Sequence, residues 1–225
     1  MITDVLIPAA GAVSLLANVW AARTVRGLRG RLAEARRRAA TDPLTGLANR
    51  NGLSRVLAEM ADESYDLVLV DLDKFKQVND TYGHAAGDRL LVEVAARIST
   101  IVADIDGAVV ARLGGDELVL ACPSPAPLAQ ILGAEVITAL AEPIEVADGV
   151  AVPVRASVGA VHVTAGEDSS RAMAAADAAA YEVKLRGGDG LVEHSVLAEL
   201  PEVEQRPMVR LREMAALVRV LGVTG

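Results

Sequence analysis

Short apolar runs rich in β-branched residues alternate along the chain with segments whose apolar residues recur every three or four positions. The runs predict β-strands, and the three-to-four spacing predicts amphipathic helices. We expect strands at residues 67–70, 108–111, 118–121, 144–146, 150–154, 156–163 and 191–193, and helices at 53–60, 88–101, 128–140 and 170–185. This alternation predicts an α/β (α+β) sandwich in which helices flank a mixed central sheet.

Gly114 and Gly115 join two of these apolar runs and are followed directly by Asp116 and Glu117. Two short strands joined through Gly-Gly predict a tight β-hairpin, because glycine adopts the positive φ angles that such a turn requires. The turn would present both carboxylates at its tip, and the bare glycines would let a ligand approach the backbone closely. For these four residues alone, an ordinary solvated turn is the alternative.

Asp71 and Asp73 follow the run at residues 67–70, whose continuous apolar character is typical of a strand buried on both faces. Because they are two positions apart, they are expected to share a face of an extended strand. Carboxylates at the end of a central strand are costly unless they bind a metal ion or line an exposed cleft. Mg²⁺ with a polyphosphate suits them, since this ion takes few protein carboxylates and completes its shell with phosphate oxygens.

The polar segment 74–84 reads as turn-like, and Asp88 is expected to open the helix that follows it. Asn79 and Asp88 can each hydrogen-bond the edge of a nucleobase, and an aspartate matches paired N–H donors such as those of guanine. The alternatives are a turn former at Asn79 and a helix N-cap at Asp88. Asn51 is expected to cap the helix at 53–60.

Charge is distributed unevenly along the chain. The formal net charge is −8, but residues 1–40 carry a net +5 and the remainder a net −13. An acidic body argues against sequence-independent binding of nucleic acid, which requires a basic face. The single cysteine, Cys122, excludes a disulfide framework within the chain, and we interpret it as a small buried apolar residue.

Residues 5–22 form a stretch of 18 residues without a charged side chain, just long enough to cross a bilayer as a helix. Trp20 lies where an interfacial anchor is expected, and the arginines that begin at Arg23 would keep the rest of the chain in the cytoplasm by the positive-inside rule. We therefore predict an N-terminal helical anchor at residues 1–22 in a single-pass protein of the cytoplasmic (inner) membrane. The alternative is a cytoplasmic protein whose N-terminal helix packs on a partner.

Arginine-rich helical patterns flank the predicted domain on both sides. Residues 23–40 read as a basic helix whose apolar spacing predicts either a short coiled coil or a plain linker. In residues 195–225 the apolar spacing predicts an amphipathic helix, whose basic face would suit a partner helix or a membrane surface.

Several separated motifs, in the same order, resemble those of the GGDEF family of diguanylate cyclases over residues 41–194. The matching segments are residues 42–50 (DPLTGLANR), 71–80 (DLDKFKQVND), 83–84 (GH), 87–88 (GD), 114–118 (GGDEL), 157–159 (SVG) and 176–184 (ADAAAYEVK). The resemblance implies a palm-like fold related to nucleotidyl cyclases, and a reaction that condenses two GTP into cyclic di-GMP and two pyrophosphates. Each subunit of a homodimer would bring one GTP.

The resemblance also implies a metal site. The carboxylates of Asp71 and Asp116 and the backbone carbonyl of Leu72 would hold Mg²⁺ (or Mn²⁺), which neutralises the triphosphate and acidifies the attacking hydroxyl. Glu117 would support that deprotonation or bind a second ion. Asp116 and Glu117 are thus the catalytic carboxylates that the resemblance implies.

Substrate contacts are implied in the same way. Backbone N–H groups near Lys74 and Phe75, together with the Lys184 ammonium, would cradle the β- and γ-phosphates. Asn79 and Asp88 would read guanine. The substrate-binding residues are then Lys74, Phe75, Asn79, Asp88, Gly114, Gly115 and Lys184.

The chain departs from the family pattern in three features. Leu118 stands where the family usually has phenylalanine and should point into the core, where an apolar exchange costs little. Gly188 replaces a phosphate-binding arginine, for which Arg186 is a candidate substitute. Ile105 and Ala108 occupy the arginine and aspartate positions of the product-inhibition motif, so we predict no such site there. The alternative function is a weak or silent domain that binds GTP or a partner protein.

Overall fold

The computed structural model describes residue 20, residues 23–27 and residues 39–196. Tyr65–Leu72 forms the strand around which the other elements are arranged. In chain order, the helices are α1 (Arg50–Glu59), α2 (Phe75–Tyr82), α3 (His84–Ile101), α4 (Ala129–Leu140) and α5 (Ser169–Leu185), and the strands are β1 (Tyr65–Leu72), β2 (Val109–Gly114), β3 (Glu117–Pro123), β4 (Ile144–Ala147), β5 (Val150–Val152), β6 (Ala156–Val163) and β7 (Gly190–Ser195).

Strand β1 lies at the centre of a five-stranded sheet with the order β2-β3-β1-β6-β7. It pairs antiparallel with β3 and β6, whereas β6 and β7 run parallel. Strands β4 and β5 form a separate two-stranded sheet. The predicted mixed sheet flanked by helices is therefore confirmed.

The side chains of β1 alternate between two apolar clusters, one on each face of the sheet. Val68 and Val70 pack with α3 and α4 on one face, whereas Leu67 and Leu69 pack with α1 and α5 on the other. By this alternation Asp66 faces the α3–α4 side and Asp71 faces the α5 side. Covering both faces explains why the run at residues 67–70 is continuously apolar.

Three local predictions were wrong. The segment expected to be turn-like contains helix α2, in which the helical spacing of Phe75, Val78 and Tyr82 extends over only eight residues. Helix α3 begins at His84, so Asp88 lies inside the helix and is not its N-cap. Helix α1 is capped by Asn49, not Asn51: its Oδ1 accepts hydrogen bonds from the N–H groups of Asn51 and Gly52 at 2.9 and 3.0 Å.

The segments expected on either side of the domain lie largely outside the described residues. Trp20 alone is described from the anchor predicted at 1–22, residues 23–27, 39 and 40 from the linker at 23–40, and residues 195 and 196 from the tail at 195–225. Within the described ranges, no helix is both long and apolar enough to cross a membrane. The anchor, the coiled coil and the tail helix stay predictions.

Candidate active site

Three carboxylate residues come together at one end of the central sheet, where β1 ends beside the β2–β3 turn. The antiparallel register places Asp71 opposite Glu117. The N–H of Leu72 donates to the carbonyl of Asp116 at 3.2 Å. The end of β1 is thereby fastened to the acidic turn, although the two segments lie far apart in sequence.

One oxygen of the Asp71 carboxylate is paired and the other is not. Oδ2 lies 2.6 Å from Nζ of Lys184, whereas Oδ1 is buried without a hydrogen-bond partner. Burial raises the pKa of Asp71 to about 6; Lys184 opposes the shift, and the negative charges of Asp116 and Glu117 add to it. A buried carboxylate oxygen without a partner is costly in the protein alone, so this arrangement fits a position that binds a cation.

The donor set suits a divalent cation with oxygen ligands. Mg²⁺ is commonly bound through one or two carboxylates together with substrate phosphates and water. Among the residues that the structure describes, no group of three or more His, Cys, Asp and Glu side chains is arranged to hold a metal ion. Asp71, Asp116 and the Leu72 carbonyl would leave several positions of an octahedral shell for oxygens of substrate and water.

Arg112 holds the acidic turn in place. Its Nε and Nη2 donate to the carbonyl of Gly115 at 3.0 and 2.9 Å, and its Nη1 lies 3.1 and 3.2 Å from the two carboxylate oxygens of Asp42. Burial would raise the pKa of Asp42, but hydrogen bonds from Thr45 and Arg112 hold it below its ordinary value. Gly114 and Gly115 have φ angles of 140° and 60°, as the predicted turn requires.

Asp73 does not join Asp71, contrary to the expectation that the two would share a face. Strand β1 ends at Leu72, and the chain turns away. The Asp73 carboxylate accepts hydrogen bonds from Ser157 Oγ and from the N–H of Asp189, both at 2.8 Å. Asp73 therefore ties the end of β1 to β6 and to the loop after α5, and both of its oxygens are satisfied without a cation.

Asn79 and Asp88 are brought near one another where α2 packs on α3. A Cβ atom at Gly87 would lie 2.0 Å from Asn79 Oδ1, so a larger residue there would displace the Asn79 side chain from this position. Asp88, the next residue, lines a pocket of about 600 Å³ together with Leu44. Of the two polar side chains predicted to read a base, Asp88 lines this pocket, whereas Asn79 lies against Gly87, the residue before Asp88.

A second pocket, of about 490 Å³, adjoins the start of α2. Lys74, which precedes this helix, has a φ angle of 56°, and Lys74, Gln77, Arg155 and Gly187 line the pocket. The first N–H groups of a helix have no partners within that helix, and they favour anions. The pocket therefore adjoins the N-terminus of α2 and is lined by two cationic side chains as well as by Asp73.

Comparison with known proteins assigns the arrangement to a family. The family model described as "Diguanylate cyclase, GGDEF domain" matches residues 39–190. The chain belongs to the GGDEF family. Its fold is that of the solved GGDEF domains, as the predicted palm-like fold required.

Relatives and solved structures agree with this assignment. The chain is 38% identical to an uncharacterized protein in the hutH 5′ region of Streptomyces griseus, over 81% of this chain and 80% of that protein. It is 34% identical to the diguanylate cyclase TpbB of Pseudomonas aeruginosa, over 72% of this chain but only 40% of TpbB. It is also similar to the coiled coil and GGDEF domain of DgcB from Caulobacter crescentus, solved in complex with c-di-GMP, with a TM-score of 0.67, 28% identity, and coverage of 77% of this chain and 95% of that one.

The departures from the GGDEF pattern have distinct structural settings. Leu118 is fully buried in the core, as predicted for an apolar exchange. Gly188 has a φ angle of 80°, and a Cβ atom there would lie 2.6 Å from Asp73 Oδ2. The guanidinium of Arg186 binds the carboxylate of Glu182 on its own helix. Arg186 is therefore directed back along α5 in this arrangement, and its substitution for the missing arginine stays a prediction.

The residues that sequence reasoning missed are those that hold this GGDEF site together. Asp42 and Arg112 lie within or beside recognised motifs, but their pairing joins positions 70 apart in the chain. Ser157 belongs to another recognised motif, and its bond to Asp73 spans 84 positions. The sequence signal for each of these residues was a polar side chain inside a motif. The spacing of residues along the chain did not show which distant residue each one contacts.

Proposed function

We propose that the chain is a diguanylate cyclase that condenses two GTP into cyclic di-GMP, with release of two pyrophosphates, at the interface of a homodimer. The observation that carries this proposal is the unpartnered, buried Oδ1 of Asp71 beside the turn that bears Asp116 and Glu117. A structural carboxylate at this depth would be expected to have both oxygens satisfied.

Mg²⁺, or Mn²⁺ in its place, would be held by Asp71, Asp116 and the Leu72 carbonyl. When bound, the ion would neutralise the triphosphate and lower the pKa of the attacking 3′-hydroxyl. Glu117, opposite Asp71 in the strand register, would take part in removing the hydroxyl proton or bind a second ion. Lys184 is already within 2.6 Å of Asp71, so its ammonium lies next to the metal ligands, where it could also contact phosphate oxygens.

The remaining residues would bind and orient the nucleotide. The N–H groups at Lys74 and Phe75 begin helix α2, a favourable position for phosphate oxygens. Asn79 and Asp88, brought together by Gly87, would hydrogen-bond guanine. Gly114 and Gly115 would let the nucleotide approach the backbone of the turn.

Two subunits are required because each would bind one GTP. The 3′-oxygen of one nucleotide would bond to the α-phosphorus of the other, and the bond from that phosphorus to pyrophosphate would break. Formation of two such bonds closes the ring. Turnover should therefore rise with protein concentration, and residues 1–40 should lower the concentration needed by pairing chains or confining them to a membrane.

Location belongs to the same proposal and is supported by sequence alone. We place the domain in the cytoplasm, anchored to the membrane through residues 5–22; a cytoplasmic protein without an anchor is the alternative. Membrane fractionation of the full chain, beside a chain lacking residues 1–22, distinguishes them. Recovery of the full chain only in the soluble fraction would exclude the anchor.

The test of the function is GTP turnover by the full chain with and without Mg²⁺, followed by identification of the product. We expect cyclic di-GMP and pyrophosphate in the presence of Mg²⁺ only. Asp116→Asn is the matched variant that should lose the activity while remaining folded. Absence of cyclic di-GMP from a folded, dimeric protein at millimolar GTP would favour the silent domain.

The silent domain is the second candidate because Gly188 removes the arginine that the family uses on phosphate. Its distinguishing result is binding of GTP, or of a partner protein, without turnover.

A further inference from the structure

The phosphate end of the proposed site is short of positive charge. Asp71 lies opposite Glu117 in the strand register and next to the segment that carries Asp116, and Lys184 is already paired with Asp71 at 2.6 Å. A nucleoside triphosphate carries several negative charges and needs cationic partners besides a metal ion. Position 188 cannot supply one in this conformation, because a Cβ atom there would lie 2.6 Å from the Asp73 carboxylate.

Arg155 provides a positive charge beside the loop that carries Gly188 and Asp189. It precedes strand β6 and lines the 490 Å³ pocket together with Lys74 and Gly187. Its backbone is fixed, because its carbonyl accepts the N–H of Asp73 at 2.8 Å. Its side chain is 68% exposed, so the guanidinium is accessible from the pocket.

The contact that Arg155 makes is one that a nucleotide could replace. Its Nη1 lies 3.4 Å from Oδ2 of Asp189, whose side chain is 44% exposed. Exposed ion pairs of this kind contribute little stability, so exchanging the carboxylate for a phosphate costs little. A guanidinium binds phosphate through two parallel N–H groups. The single contact with Asp189, at 3.4 Å, is a weaker interaction than such a two-bond contact.

We propose that Arg155 is a substrate-binding residue that contacts the phosphates of GTP, and that Asp189 competes with the nucleotide for its guanidinium. The proposal rests on the proposed function, since it assumes that GTP occupies the site. Asp189 is suited to this role because its N–H is held by Asp73 independently of its side chain. Its carboxylate can therefore release Arg155 without disturbing the loop.

The first test is Arg155→Gln in the full chain. The KM for GTP should rise about tenfold with little change in kcat, because the contact is made equally in the ground and transition states. Affinity for α,β-methylene GTP, which binds but cannot release pyrophosphate, should fall by the same factor when measured by calorimetry. Arg155→Lys should recover part of the loss, since it keeps the charge but not the fork.

Arg171→Gln is the matched control. It removes an exposed arginine of the same charge, near the start of α5, to which no part in binding is assigned. Its KM and its affinity for the analogue should equal those of the unmodified chain. An Arg171→Gln variant that weakened binding as much as Arg155→Gln would reduce the effect to general surface charge and overturn the proposal.

Asp189→Asn tests the competition with the opposite sign. The amide removes the negative charge that holds Arg155, and asparagine tolerates the φ angle of 57° at this position at least as well as aspartate. Affinity for the analogue should increase about threefold, the size expected for an exposed ion pair. In the double variant with Arg155→Gln, Asp189→Asn should have much less effect.

The outcomes separate the two proposals. Cyclic di-GMP production by the unmodified chain, together with unchanged KM and analogue affinity in a folded Arg155→Gln protein, would overturn the role of Arg155 and leave the function standing. If Arg155→Gln did not fold, unchanged analogue affinity in Asp189→Asn would overturn the competition on its own. An unmodified chain that bound neither GTP nor the analogue would overturn both proposals.

Discussion

Two aspartates of strand β1, Asp66 and Asp71, are buried at opposite ends of the same strand and face opposite sides of the sheet. Asp66 is fully buried, yet both of its oxygens have partners: His162 Nδ1 lies 2.7 Å from Oδ1, and the N–H of Leu128 donates to Oδ2 at 3.0 Å. Asp71 is less buried, with 16% of its side chain exposed, but its Oδ1 has no partner.

The difference teaches that depth of burial does not by itself identify a functional carboxylate. A buried polar group that is fully hydrogen-bonded is compatible with a purely structural role. One that keeps an unpaired oxygen beside two further acids is destabilising in the protein alone and is explained by a ligand. On this reasoning Asp66 stabilises the fold, whereas Asp71 serves the proposed metal site.

The largest expected effect is that of Asp71→Asn on turnover. The amide keeps the shape of the side chain but removes a charged oxygen ligand, so production of cyclic di-GMP should fall by about 1,000-fold. The matched control is Asp66→Asn, the same exchange on the same strand, which should change turnover per folded molecule by less than about threefold. Near-normal turnover by Asp71→Asn would remove Asp71 from the metal site and break the comparison.

The second prediction concerns stability, for which substitution of Asp66 should cost more than substitution of Asp71. Asp66→Ala leaves His162 and the N–H of Leu128 without their buried acceptor, so the free energy of unfolding should fall by about 3 kcal/mol or more. Urea denaturation measures this loss, with a decrease in Tm of about 10 °C as a second readout. Asp71→Ala, compared without metal, should lose far less. Equal losses in the two variants would show that both aspartates are structural.

The third prediction uses the raised pKa of Asp71. Because its pKa in the folded chain is about 6 rather than 3.8, folding favours the protonated form, and this contribution is complete below about pH 4 and lost as pH rises through about 6. The loss amounts to at most roughly 3 kcal/mol in metal-free protein. Urea denaturation between pH 4 and pH 8 should reveal it in the unmodified chain.

Asp71→Asn supplies the comparison for this pH dependence. The amide does not titrate, so the variant should lack the loss of stability between about pH 4 and pH 6 and be the more stable protein at pH 8 without metal. Turnover should move in the opposite direction, falling below about pH 6, because a protonated carboxyl does not bind a cation. Identical pH profiles of stability for the two proteins would show that the pKa of Asp71 is not raised in the folded chain.

The smallest effect is expected for Arg112→Lys. A lysine keeps the charge but cannot contact Asp42 and the Gly115 carbonyl together, so the turn that carries Asp116 should be less firmly placed beside Asp71. We expect turnover to fall about tenfold and the free energy of unfolding to fall by about 1 kcal/mol. Arg97→Lys, remote from the turn, is the control for the substitution itself. Loss of stability without loss of turnover would mean that the turn does not need this brace.

Sequence patterns predicted most of the elements and the residue types of the site. The hairpin at Gly114 and Gly115 formed as expected, since glycine's tolerance of positive φ is a local property. Helix α2 was missed because the helical spacing of Phe75, Val78 and Tyr82 extends over only eight residues, most of them polar. Asp73 was placed beside Asp71 because the strand was assumed to continue beyond Leu72, where it ends.

Local sequence is enough to decide that β1 is a buried strand with an acid near each end, because both features depend only on residues that are adjacent in the chain. Which acid would be satisfied was decided only by tertiary structure. The partner of Asp66 comes from strand β6, 96 positions away, whereas no donor reaches Oδ1 of Asp71. The physical reason is that a buried carboxylate is paired by whatever strands and helices pack against it, and that packing is a property of the assembled fold.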